Sequence, residues 1–183
     1  MGLQRSARTA INVLLACAVL TGLSQGVKAD SVDEINTKSL SALAYLGDQG
    51  DEINALLQDA AGVLVFPDIV KLGFGSGGQY GEGVLLIDQQ PDAYYATAGA
   101  SYGLALGAQF KSEVIVFVTE QALAHFRQRR GFEVGIDGSV ALITTANLGS
   151  YEVDEAVVGF IFTNEGLAPN LAFEGAKITK LAR

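Results

Sequence analysis

The sequence predicts an α+β domain: a largely antiparallel, glycine-bent β-sheet, open to barrel-like closure, with two N-terminal helices and one inserted helix. Three observations lead there. Residues 62–88, GVLVFPDIVKLGFGSGGQYGEGVLLID, place β-favouring apolar runs at 63–66 and 84–87 around glycines at 73, 75, 77, 78, 81 and 83. Residues 31–61 instead repeat apolar side chains at helical spacing. A second capped, helix-patterned segment after Thr119 interrupts the β-rich remainder.

The glycines come first because the rest is organised around them. Gly73, Gly75 and Gly77 fall two apart, so an extended chain puts them on one face. A bare face lets another backbone approach and lets a sheet bend sharply. Each glycine weakens a strand, so such a run needs a structural reason, and Gly81 and Gly83 are assigned the same role. Gly73, Gly75 and Gly78 also fit G-x-G-x-x-G, but the chain continues as GEGVLLID, with no helix to receive a pyrophosphate. No Gly-Lys-Ser or Gly-Lys-Thr occurs, so a phosphate loop of the Walker type is excluded.

Residues 1–29 read as a secretory signal: Arg5 and Arg8, then an apolar centre over 10–23, then Val27-Lys28-Ala29 before a cut at Asp30. The apolar centre is shorter than the ~20 residues that span a bilayer. Leu14-Leu15-Ala16-Cys17 resembles a lipoprotein box, but the apolar run continues past Cys17, so soluble export to the periplasm or medium is preferred to lipid anchoring. The remainder, 30–183, reads as one domain. The whole chain carries −8, and the first 29 residues hold three cations and no acid, leaving −11. Such a domain is not expected to bind nucleic acid or to be drawn wholesale to anionic lipid. No cysteine remains after Cys17, so stability rests on a packed core.

Ser31-Val-Asp-Glu34 is a capping box opening a helix that runs to about Gly47. Asp48-Gln49-Gly50 is a turn, and a second helix spans about 51–61. Pro67 is expected to stop the first apolar run, and Gln89-Gln90-Pro91-Asp92 to turn the chain. A strand or strand pair over 94–110 carries Gly99, Gly103 and Gly107 on one face, and 113–118 is a separate strand buried on both faces. GGQYGEG and GASYGLA look alike, as two neighbouring strands bent at one level would. Thr119 caps a helix to about Arg130, ended by Gly131. Asp137-Gly138 signals a hairpin, and Asn164-Glu165-Gly166 another turn. A transmembrane barrel would want pure alternation and a terminal aromatic, which the run VIVFV, the inserted helix and Arg183 contradict.

FPDIVKLGFGSGGQYGEGVLL resembles the signature of the SYLF domain family, described as lipid-binding or actin-regulating modules. YYATAGASYGLALGAQFKSEVIVFVT, GFEVGIDGSVAL and VVGFIFTNEGLAPNLAFEGAKITKL resemble the same family in the same order, from about Ile35 to Leu181. The resemblance implies a lipid-binding module. Its actin role is not expected in a periplasmic protein.

Enzyme chemistry finds little support. His125 is the one histidine, on the third helix, and reads as a surface residue; with no cysteine after Cys17, no zinc set exists. There is no G-x-S-x-G elbow and no D-x-D-x-D-G calcium loop. Twenty acidic residues make any choice of a carboxylate pair arbitrary. No cofactor or metal is expected.

Basic residues are few and clustered. After residue 29 they are Lys38, Lys71, Lys111, Arg127, Arg129, Arg130, Lys177, Lys180 and Arg183. Arginine suits bidentate phosphate contact, although cations at a helix C-terminus need no ligand to explain them. Lys71 within the family motif, with Arg127, Arg129 and Arg130, are the candidates for phospholipid headgroups. The expectation is a non-enzymatic envelope domain that binds lipid headgroups or membrane surfaces. The alternative is a structural module that docks an envelope protein on its glycine face; an uncharacterised hydrolase ranks behind both.

Overall fold

The computed structural model describes residues 30–143, 155–163, 166–167, 173 and 176–183. The expected signal segment with Cys17, and Asn164-Glu165 of the last turn, lie outside them.

Two helices lead. Helix α1, Val32–Gly47, starts where Ser31 Oγ accepts from the Glu34 amide at 3.2 Å, as the capping box predicts. Ile35, Ser39, Ala42 and Leu46 form its buried stripe. Helix α2, Asp51–Asp59, buries Ile53 and Leu56 and ends two residues earlier than the spacing suggested, because Ala60 is already extended.

The sheet is built on one long antiparallel ribbon. Strand β1, Gly62–Ile87, pairs with β2, Gln90–Phe117, from Gly62 opposite Phe117 to Ile87 opposite Gln90. Three sequence expectations change here. Pro67 does not end the run: the register slips between Phe66 and Ile69, and this bulge tolerates a residue with no amide hydrogen. The Ser112 hydroxyl donates to the Pro67 carbonyl at 2.6 Å across the bulge. The turn is Asp88-Gln89, both in the left-handed region at φ 49° and 62°, while Gln90 and Pro91 already pair with Ile87 and Leu86. Residues 94–110 and 113–118 belong to one strand, apart from Val118 just beyond its end.

The other edge of β2 takes two partners. Its first part pairs with β7, Lys177–Lys180, and its last part with β5, Val157–Thr163. Strand β3, Gly131–Glu133, pairs with β7; β4, Ala141–Ile143, lies parallel to β5; and β6, Gly166–Leu167, pairs antiparallel with β5. The result is a strongly curled, mostly antiparallel half-barrel, α+β as expected. The Asp137-Gly138 hairpin is not formed, since its flanking strands pair elsewhere. The chain does turn there, with Gly135 at φ 91° and the Asp137 amide bonded to the Glu133 carbonyl at 2.8 Å.

Apolar side chains pack on both faces. Val63, Val65, Val84, Leu86, Val114 and Val116 meet α1, α2, Phe160 and Phe162 on one. Leu64, Phe66, Ile69, Leu85, Ile115 and Phe117 meet α3, Glu120–Gln128, through Leu123 and Phe126 on the other. Thr119 caps α3 by accepting from the Ala122 amide at 3.2 Å, and the helix ends two residues before Arg130. Every residue from Val114 to Phe117 is buried, as the run VIVFV predicts.

Candidate functional site

The glycines on one face of β1 allow the ribbon to fold over itself. A Cβ at Gly83 would overlap the Val65 carbonyl oxygen and lie 2.6 Å from the Phe66 ring. At Gly81 it would lie 2.7 Å from Ile69 Cγ1 and 2.9 Å from the Asp68 carbonyl. The approaching backbone is the earlier half of the same strand, so this face is concave. Gly73, Gly75 and Gly77 continue it in the backbone register, opposite Gly107, Gly103 and Ser101 of β2. Gly78 points the other way and has only the Gly99 carbonyl near, at 3.7 Å.

Polar groups are enclosed on the same face. Lys111 and Glu113 are 8% and 1% exposed, with Nζ 2.7 Å from Oε1. Burial raises the Glu113 carboxyl above its ordinary pKa, and the neighbouring ammonium opposes that shift. This pair escaped sequence reading, because alternating charges in a strand look the same on a solvated face. On the opposite face, which Val84 shares, Arg183 Nη2 contacts Glu82 Oε2 at 2.6 Å, and the Tyr80 hydroxyl donates to Glu82 Oε1 at 2.7 Å. Burial, then that hydrogen bond, push the Tyr80 phenol up to about 12. Lys38 lies within 3.2 Å of Asp30, Glu34 and Asp68, which ties α1 to the β1 bulge and raises its ammonium pKa, the Glu34 bond contributing most.

The predicted basic candidates divide. Arg127 lies 3.3 Å from Asp92, and Arg129 pairs with Asp137. Asp137 also accepts from the Glu133 amide at 2.8 Å. Both arginines thus serve the fold around the α3 C-terminus. Arg130 is exposed and has no carboxylate partner among the described residues. It precedes Gly131, across which the Lys177 side chain runs: a Cβ at Gly131 would meet Lys177 Cε at 2.8 Å. The exposed basic edge is therefore Arg130 with Lys177, while Lys180, three residues on along β7, falls on the other face of the strand. Lys71 is not joined to it by any contact; it is half-buried in β1, paired across the ribbon with Gln109. Lys177 was legible only as one of three cations near the C-terminus, since the β3–β7 pairing, which sets it opposite Glu133 with its side chain running back over Gly131, is non-local.

His125 is exposed, its Nε2 3.3 Å from the Asp137 carbonyl oxygen. Among the described residues no group of three or more His, Cys, Asp or Glu is placed to hold a metal, and no helix is long and apolar enough to cross a membrane.

No curated protein matches the chain. The family described as "Ysc84: Las17-binding protein actin regulator" matches residues 98–182. That segment takes in the expected motifs from GASYGLA through β7, including the basic edge. Residues 98–182 are thus similar to the Ysc84 family, which is the SYLF domain family that the chain's motifs resemble.

Proposed function

We propose that this protein is a non-enzymatic envelope domain that holds anionic lipid headgroups at the edge formed by Arg130 and Lys177. The observation that carries this reading is that neither exposed cation makes an ion pair among the described residues, Lys177 running over Gly131 rather than pairing with Glu133 opposite it, in a chain of net charge −8. The lipid-binding character of the family supports it. Each cation near an anionic surface contributes about 1 kcal/mol, within a Debye length. Two give weak, salt-sensitive association. Export through residues 1–29, with the mature chain starting at Asp30, places the domain among envelope lipids; mass spectrometry of the purified protein tests that start against a lipidated Cys17.

Flotation with vesicles of phosphatidylglycerol and phosphatidylcholine tests the site. Arg130→Glu/Lys177→Glu is expected to abolish flotation at low salt and keep the native circular dichroism spectrum. Equal flotation of wild type and double variant excludes this edge.

A second reading, docking of an envelope protein, is favoured by one observation. Leu72 and Phe110 are 53% and 60% exposed on the same convex face of the ribbon, Phe110 opposite Val70. Phe110→Ser then removes partner capture and leaves vesicle flotation unchanged.

A further inference from the structure

We propose that the groove between α1, α2 and the β1–β2 turn is a second site, for a single-chain amphiphile with an ammonium head. It does not rest on the headgroup reading, since it lies on other elements and contains none of the cations used there. The groove has a volume of about 430 Å³, within the range of small-molecule sites. Leu40 and Leu43 of α1, Leu57 of α2 and Leu86 of β1 supply its apolar wall. Leu40 is 56% exposed on a helix whose buried stripe, Ile35, Ser39, Ala42 and Leu46, is covered, so the wall continues out to solvent.

The polar end determines which head fits. It is formed by Asn54, Gln58, Asp88 and Gln89, and Asp88 is the one charged residue in the lining. Gln58, also in the lining, donates to Asn54 Oδ1 at 3.2 Å, so its own carbonyl oxygen is not used in that bond. A phosphate would meet a carboxylate and no cation there. An ammonium would meet a carboxylate and amide oxygens.

The turn supplies an independent observation. Asp88 and Gln89 both adopt positive φ, where a two-residue hairpin turn ordinarily takes Asn-Gly or Asp-Gly. The chain keeps a long side chain at Gln89 in a conformation that favours glycine, and that residue lines the groove. Backbone strain held at a ligand-facing position is a mark of functional sites.

Three probes with one chain test the assignment: dodecyltrimethylammonium, dodecyl maltoside and dodecyl phosphate, each titrated below its micelle concentration. Calorimetry gives affinity, and leucine methyl NMR gives location. The ammonium probe is expected to bind about tenfold more tightly than the phosphate, as one partly exposed charge contact allows. The sugar-headed probe falls between them. Shifts centre on Leu40, Leu43, Leu57 and Leu86. Asp88→Asn removes that charge contact, brings the ammonium and phosphate affinities within about twofold, and leaves anionic-vesicle flotation unchanged. Leu40→Gln, at an exposed position, weakens all three with no change in thermal midpoint. Equal affinity of the wild type for ammonium and phosphate, a preference that survives Asp88→Asn, shifts centred elsewhere, or no saturable binding would each overturn the proposal. Loss of flotation in Arg130→Glu/Lys177→Glu with ammonium binding intact separates the two sites.

Discussion

The ends and the middle of the β1–β2 ribbon solve the same problem in opposite ways. At the ends, valine, leucine, isoleucine and phenylalanine fill both faces, and stability comes from side chains meeting helices and β5. Towards the bend, glycines strip one face, and the strand's own backbone takes the space at Gly81 and Gly83. Burial by side chain tolerates any residue of suitable volume, whereas burial by backbone tolerates no side chain at all. The same curl that brings Val65 against Gly83 also encloses Lys111 and Glu113, a polar pair that a flat ribbon would leave in water. The glycine run and the buried ion pair are two consequences of one bend.

Substitutions along the ribbon should therefore fall in a graded series. The largest effect is expected from Lys111→Met, which leaves Glu113 enclosed without its counter-charge. Breaking a buried pair on one side costs about 3–5 kcal/mol, measured by denaturant unfolding at neutral pH. The pH dependence has a definite sign. Burial holds the Glu113 pKa above its unfolded value, so the stability linked to its proton is full below the unfolded pKa. It is lost as pH rises through the folded pKa. Removing the ammonium raises that folded pKa further, so the Lys111→Met deficit should shrink on acidification. A deficit constant with pH would mean that Glu113 is solvated in the variant. Replacing both residues, as Lys111→Met/Glu113→Gln, should recover most of the loss.

Next comes Leu64→Ala at a wholly buried ribbon end, which should cost about 2–5 kcal/mol through lost transfer energy and the cavity left behind. Gly83→Val is expected to cost about 1–3 kcal/mol by overpacking against Val65 and Phe66. Gly78→Ala, on the convex face of the same strand, should change stability by no more than about 0.5 kcal/mol. If Gly78→Ala and Gly83→Val are equally disruptive, the glycines serve strand flexibility rather than close approach, and the contrast between ends and middle fails.

Legibility in the sequence followed the range of the interaction. Ser31 and Thr119 announce their helices because a cap is made within three residues. The run VIVFV announces two-sided burial by composition alone, and the glycines announce a bend. What they do not announce is its partner, because Val65 and Phe66 precede Gly83 by some seventeen residues and no local pattern joins them. Pro67 looked like a terminator because its bulge is set by the strand opposite and by Ser112, 45 positions away. The candidate site was legible to the same degree. A cluster of cations was visible, but Asp92 and Asp137 withdraw Arg127 and Arg129 from it, and the Lys177 side chain on β7 runs over Gly131, next to Arg130.

The curl of β1 is the feature on which the rest depends, and it can be observed without a variant. In a straight strand the seventeen residues from Phe66 to Gly83 would span about 50–60 Å. In the curled strand a Gly83 Cβ would lie 2.6 Å from the Phe66 ring, and a Gly81 Cβ 2.7 Å from Ile69 Cγ1. A nuclear Overhauser spectrum of the labelled protein should show cross-peaks from the Gly83 α-protons to the Phe66 ring and from Gly81 to the Ile69 side chain. These should stand beside the ladder peaks that pair Gly83 with Tyr95 and Ile69 with Lys111. Ladder peaks without the Gly83–Phe66 and Gly81–Ile69 peaks would mean a ribbon that pairs as described but does not fold over itself.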